Sequence, residues 1–248
     1  MFKVRDVDKM KKQLQILNRL GKVDIDGILK KYGKKMPQTD IENIRAIQSQ
    51  GFQLRNLNLK QPNHVSALHA LVKAMGIKDK SLDTLLVGKN NPETLPNILF
   101  DITMKKVSDI TSVIPKLQEV GYQSKNIHLT WILTNFVTAM ENNKNRERMV
   151  PEDTLLKTHE GASNTVWGLV TKAMPKGLNG RVDVILNNKE HTVFYKDADG
   201  NDVEGIARGF LSLPVKKEGG SILPEKVWKN KLYNWIKDNA PDAITQYM

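Results

Sequence analysis

Apolar residues follow two different periods along this chain, and the two periods alternate. Short runs rich in apolar and β-branched residues predict strands at 2–7, 97–103, 126–134 and 181–187. Between them, apolar residues spaced three or four positions apart predict helices. Strands that alternate with helices predict an α/β fold with a mostly parallel sheet, flanking helices and right-handed crossovers.

The region between the first two strands has only the helical period. Glycines end several of its amphipathic segments, among them Gly51, Gly76 and Gly88. We therefore interpret 22–95 as a helical insertion in a single domain, 1–248, whose α/β core covers 97–188. The Asp-Gly turn near Gly200 then predicts an appended hairpin, and 189–248 is expected to form this hairpin and a terminal helix.

Polar side chains stand where the predicted strands end. Asp101 and Thr103 close the strand 97–103, and Asn135 follows the strand 126–134. In one sheet these residues would share the carboxyl edge, where open α/β sheets bind their ligands. Arg146 and Arg148 follow soon after, as expected for a pair that clamps an anion.

The first strand ends in two carboxylates, Asp6 and Asp8. One interpretation is structural, because an acid at the start of a helix caps its free N–H groups and favours its dipole. The other is a functional role for these carboxylates, which competes with the capping role. The sequence leaves both open.

Composition narrows the classes of function. The net charge of +11, from 38 basic and 27 acidic residues, favours polyanionic partners such as nucleic acid, although scattered lysines also serve solubility. The chain has no cysteine, which excludes disulfides and thiolate metal sites, and the spacing of His64 and His69 is poor for a shared metal. No apolar run approaches the roughly 20 residues that span a bilayer, so we expect a cytoplasmic protein without membrane contact.

Several segments together resemble a known family. VRDVD, NILFDIT, EVGY, LTWILTN and NNKNRERMVPEDTLLKTHEG occur in an order similar to that of the zeta-toxin-like P-loop kinases. The resemblance covers 3–8 and 97–199, roughly half of the chain, and leaves out 22–95. It implies a P-loop kinase-like fold and a nucleotide-dependent phosphotransferase that uses ATP or GTP with Mg²⁺.

The resemblance also implies roles for individual residues. Asp8 corresponds to the general base and Asp101 to the acid near the metal and substrate, while Arg146 and Arg148 correspond to the arginines of a mobile lid. Three further residues are expected to bind substrate: Asp6, Thr103 and Asn135. No set of metal-ligating residues is predicted.

One hallmark of the family is missing. No segment matches G-x-x-x-x-G-K-[ST], the loop whose N–H groups and lysine hold the nucleotide phosphates. In the family, this loop and its strand precede the segment matched by 2–8. Three explanations stay open: a truncated kinase, a chain whose missing strand comes from a partner, or a degenerate kinase fold. We expect the chain alone to transfer phosphate poorly.

Two classes of function follow. The first is an incomplete phosphotransferase of zeta-toxin-like or polynucleotide-kinase-like type, with a nucleotide and a phosphorylated or polyanionic substrate as partners. The second is a non-catalytic binding or assembly protein, of phage or mobile-element origin, that reuses the kinase scaffold and binds nucleic acid. A weaker third class is a structural protein whose partner fills the empty strand position.

Overall fold

The structure is a computed structural model that describes residues 2–86, 92–146, 149–187 and 192–239. Two compact units divide the chain. The first comprises Met1–Thr103 and Met140–Lys157, and the second comprises Met104–Ala139 and Thr158–Met248. Both contain helices and strands, which confirms a mixed α/β protein; the prediction of one domain with an insertion stays a prediction.

Helices and strands take up most of the described chain. The strands are β1 (Phe2–Asp6), β2 (Asn97–Asp101), β3 (Leu129–Leu133), β4 (Val182–Leu186), β5 (Thr192–Lys196) and β6 (Asp202–Lys216). The helices are α1 (Val7–Arg19), α2 (Ile25–Tyr32), α3 (Gln38–Ser49), α4 (Pro62–Ala74), α5 (Ile77–Leu86), α6 (Ser108–Thr111), α7 (Ile114–Glu119), α8 (Phe136–Lys144), α9 (Glu152–Thr171) and α10 (Glu225–Asn239). No helix in these ranges has the length and apolar character needed to cross a membrane.

In the first unit, the helices α1 to α4 surround a hydrophobic core. Their amphipathic spacing turns aliphatic side chains inward, and Leu68, Leu71 and Ile44 are almost fully inaccessible to solvent. Burial of such side chains contributes about 1.5–3 kcal/mol each. The helical character predicted for 22–95 is therefore confirmed over the described residues.

A small parallel sheet in the same unit joins β1 to β2. Residues in register share a face, so Arg5 and Phe100 point to one side of the sheet, while Val4 and Leu99 point to the other. Arg5 is only 2% exposed and donates to the Ser81 hydroxyl and the Lys78 carbonyl of α5. The opposite face is open, because Val4 and Leu99 are 45% and 54% exposed.

The second unit contains a mixed sheet with the strand order β3-β4-β6-β5. β3 and β4 are parallel, whereas β6 is antiparallel to both β4 and β5. The strands β5 and β6 confirm the predicted hairpin around its Asp-Gly turn. The long strand β6 bridges from this hairpin to β4.

The sheet arrangement differs from the sequence-based expectation. The described strands pair in two sheets, and the larger one contains two antiparallel pairs, so one mostly parallel sheet is not found among them. The apolar run at 126–134 also predicted a strand buried on both faces. Instead, β3 lies at an edge of the described sheet, and Ile132 is 59% exposed. The prediction failed because the composition of a strand does not specify how many neighbouring strands it has.

The apolar spacing over 107–120 predicts one helix, in which Pro115 marks either a kink or the true first turn. The structure has two helices in this range, α6 and α7, and Pro115 stands in the first turn of α7, where its missing N–H costs nothing.

The helical spacing of Trp228 and Trp235 predicts packing in a core or interface more than stacking on nucleobases. On α10, Trp228 packs edge-on against Trp167 of α9 with ring centres 6.0 Å apart, which confirms packing for Trp228.

His64 lies inside the helical core. Its Nδ1 accepts a hydrogen bond from the Asn58 N–H at 2.9 Å, and its ring packs edge-on against Phe52. Its Nε2 has no hydrogen-bond partner among the described residues. Burial lowers the pKa of His64 below its ordinary value, because the charged ring would lose solvation and the Asn58 bond.

We predict that His64 makes the protein sensitive to acid. Because its folded-state pKa is lowered, the unfolded chain binds the proton more readily, and the free energy of unfolding falls as the pH drops below about 6.5. Urea denaturation across this pH range measures the effect. His64→Gln should flatten the pH dependence, whereas His69→Gln, an exposed change on the same helix, should retain it. An unchanged slope in His64→Gln would contradict the prediction.

Candidate functional site

The carboxyl ends of β1 and β2 bring two predicted site residues together. Asp6 and Asp101 are register partners in the last pair of the parallel ladder. Neighbouring strands lie about 4.8 Å apart, so the two carboxylates project from adjacent backbone positions.

Asp6 caps helix α1 and is also a candidate for binding substrate. Its Oδ1 accepts from the N–H groups of Asp8 at 2.8 Å and Lys9 at 3.2 Å, which satisfies two free donors of α1. Its Oδ2 has no hydrogen bond with a described residue. The structural and functional interpretations are therefore compatible, because each can use a different oxygen.

Asp8 lies in the first turn of α1, while the cap itself is Asp6. The Asp8 carboxylate pairs with the ammonium group of Lys11 at 3.0 Å, and Lys11 is almost fully buried. This ion pair competes for the carboxylate that the family resemblance assigns as general base. The assignment stays a prediction.

The segment after β2 combines an open carboxylate with a strained turn. The exposed side chains of Asp101 and Thr103 form no hydrogen bond or ion pair with any described residue. Met104, which comes next, is buried and has a φ of +50°, a left-handed conformation that non-glycine residues rarely adopt. Strain of this kind is concentrated at functional sites, which supports a role for this strand end.

The arginine segment, residues 144–149 with Arg146 and Arg148, is flanked by Asn143 and Val150, which are hydrogen-bonded to each other. The buried amide of Asn143 donates to the Val150 carbonyl at 2.7 Å and accepts from the Val150 N–H at 2.9 Å. The Met149 N–H also donates to the Leu59 carbonyl. Arg146 is exposed between these anchors and has no side-chain hydrogen bond or ion pair with the described residues. Arg148 lies outside the described residues.

Asn135 belongs to the other sheet and the other compact unit. Its Oδ1 accepts from the Val137 N–H at 2.8 Å, and its carbonyl accepts from the Ala139 N–H, so it stabilises the first turn of α8. The prediction that Asn135 shares one sheet edge with Asp101 and Thr103 is therefore wrong for the described sheets. Its cause is the pairing of β3 with β4 instead of with β2.

Sequence reasoning missed two residues that support the site. Asn143 stands in a segment with several asparagines, and nothing in the pattern distinguishes the one that holds both sides of the arginine segment. Arg5 lies within the predicted strand 2–7, and the sequence pattern assigned it no role of its own. Burial lowers its pKa, while Asp79 and Asp83 of α5 act in the opposite direction, so the guanidinium is the electrostatic link between β1 and α5.

Carboxylate oxygens are suitable ligands for magnesium. Two carboxylates, Asp6 and Asp101, stand side by side, but no group of three or more histidine, aspartate or glutamate residues suited to a metal occurs in the described ranges. Mg²⁺ commonly takes one or two protein carboxylates and completes its shell with phosphates and water. The residues therefore fit an ion that arrives with a nucleotide.

Comparisons with protein-family models, curated proteins and solved structures find no match to this chain. The resemblance to zeta-toxin-like kinases therefore stays a prediction, based on the sequence segments quoted above.

We predict that Asp6 stabilises the protein by capping helix α1, and that this effect does not require its negative charge. Asp6→Ala should lower the free energy of unfolding by about 1 kcal/mol, because two N–H groups lose their cap. Asp6→Asn should retain the stability, since asparagine caps equally well. Urea denaturation measures both, and Asp101→Asn, which removes no contact, should change stability by less than about 0.5 kcal/mol. Full stability of Asp6→Ala would show that the cap contributes nothing.

Proposed function

We propose that the chain is part of a nucleotide-dependent phosphotransferase of zeta-toxin-like or polynucleotide-kinase-like type. It becomes competent when a further strand and its phosphate-binding loop are supplied, by upstream sequence or by a partner chain. The observation that carries the proposal is the pairing of Asp6 with Asp101 at the carboxyl edge of parallel strands. The cytoplasmic location and the phage or mobile-element origin belong to the same proposal.

The open edge of β2 supports the need for a further strand. Among the described residues β2 pairs only with β1, so one side of it retains unpaired N–H and carbonyl groups. Leu99 and Val4 leave one face exposed as well. Parallel strands are usually buried on both faces, so a P-loop kinase-like sheet would require additional covering elements.

Phosphoryl transfer requires mainly positioning and neutralisation of charge. In the proposed assembly, the Oδ2 atom of Asp6 and the carboxylate of Asp101 bind the metal that accompanies the nucleotide, and Asp8 accepts the proton of the attacking hydroxyl. Arg146 and Arg148 bind phosphate oxygens, for which the planar guanidinium is suited. ATP or GTP with Mg²⁺ would supply the transferred group.

The arginine segment provides the test of this proposal. Changing Arg146 and Arg148 together to Ala should weaken the binding of Mg²⁺-ATP or Mg²⁺-GTP by about tenfold or more, because charge-assisted contacts to phosphate are lost. The melting temperature should barely change, since Arg146 is exposed and has no described partner. Isothermal calorimetry measures binding, with and without the upstream sequence or partner chain.

The control is Lys144→Ala with Lys157→Ala, which removes the same charge from exposed positions of α8 and α9. This variant should retain nucleotide binding. A large stability loss without any binding effect in the arginine variant would place the arginines in a structural role and contradict the proposal.

A non-catalytic binding or assembly protein is the second candidate. Its support is that two acids of the proposed site already have structural partners, Asp6 as the α1 cap and Asp8 with Lys11. In this case the open β2 edge serves a partner strand without transfer chemistry. Phosphate transfer by the completed assembly, measured with radiolabelled ATP, would contradict this candidate.

A further inference from the structure

A cluster of lysines surrounds Tyr32 in the first unit. α2 ends in Lys30, Lys31 and Tyr32, and Lys34 and Lys35 follow in the next turn. Lys80 of α5 approaches the same ring, and the Nζ atoms of Lys31 and Lys80 each lie 5.4 Å from its centre. Two helices thus bring two ammonium groups to one phenol.

No described carboxylate neutralises these ammonium groups. Lys30, Lys31, Lys34, Lys35 and Lys80 are all exposed, and none has an ion pair among the described residues. Like charges at short range repel, so this arrangement favours an anion that comes from outside the described chain.

The acids of the same two helices interact with groups outside the Tyr32 cluster. On α2, Asp24 caps the helix at Gly27, and Asp26 pairs with Arg45. On α5, Asp79 and Asp83 act electrostatically on Arg5. The basic character of the Tyr32 cluster is therefore retained at its surface.

The pKa of the Tyr32 hydroxyl reflects the positive charge around it. Burial would raise the pKa of its hydroxyl, but the ammonium groups of Lys80 and Lys31 more than offset this, and the pKa is lowered. The cluster thus offers two cationic donors and a phenol, which can also donate, within reach of one anion.

We propose that Lys31, Lys80 and Tyr32 bind a phosphate of a nucleic-acid backbone. Lys34 and Lys35, exposed in the turn after Tyr32, then contact neighbouring phosphates. A run of phosphates fits better than one phosphate group, because the cluster has more unpaired lysines than a single phosphate can engage. The contacts are to the backbone, so binding should depend on charge and salt more than on base sequence. This inference does not rest on the transfer reaction proposed above.

Binding of a fluorescein-labelled oligothymidylate to the full chain, followed by anisotropy over a series of salt concentrations, tests the inference. Changing Lys31 and Lys80 together to Ala should weaken binding about tenfold and lower the salt slope by about 0.7, since the two lysines hold one phosphate and each single-strand phosphate contact contributes about 0.7. Tyr32→Phe should weaken binding but retain the slope, because only an uncharged donor is lost. No nucleotide or magnesium is present, so failure of transfer activity would not affect the result.

The matched control is Lys60→Ala with Lys73→Ala, which removes two exposed charges from the same unit. Retained affinity in this control supports a specific site. An equal loss of affinity in both double variants would show general attraction and overturn the proposal. Displacement of the oligonucleotide by equimolar ATP would identify a mononucleotide site and overturn it as well.

Discussion

The pairing of β1 with β2 depends on the helices that cover one of its faces. A two-stranded sheet is marginally stable by itself in water, so its register must be held by packing from outside. Arg5 provides this packing: it stacks near Phe100 and donates to Ser81 and Lys78 of α5. One guanidinium nitrogen, Nη1, is buried without a described partner, a cost that the surrounding contacts must offset.

The candidate site follows from this register. Asp6 and Asp101 are neighbours only because β1 and β2 run parallel and in step. A shift by one residue would turn Arg5 toward the open face and separate the carboxylates. Stability and chemistry therefore depend on the same contact between β1 and α5, while the free edge and open face of the sheet provide surface for additional elements.

Local patterns predicted the elements more successfully than their partners. The helical period identified the region from α2 to α5, Pro115 indicated the start of α7, and the Asp-Gly turn indicated the hairpin of β5 and β6. Each of these signals acts within a few residues. The assignment of β2 and β3 to different sheets depends on long-range pairing. The apolar runs predict that each segment is a strand, but they do not specify which strand it pairs with.

The same limit applies to buried polar residues. Nothing in the sequence showed that Arg5 and His64 are buried, or that Lys216 donates from β6 to Asn179 and Gly180. Arg5 and Lys216 find their acceptors far along the chain, and the burial of His64 depends on how the helices pack. The acids Asp6 and Asp101 were predictable, since strand ends can be read locally. Their pairing with each other was predictable only once both strands were placed in one parallel sheet.

Amide hydrogen exchange along β2 tests the central claim, that this strand pairs on one side and is open on the other. In a parallel ladder, alternate N–H groups point to opposite neighbours. The account predicts that alternate amides of Asn97–Asp101 exchange rapidly, while those facing β1 are protected. Protection of every amide in the strand would contradict an open edge, and with it the proposal that a further strand completes the protein.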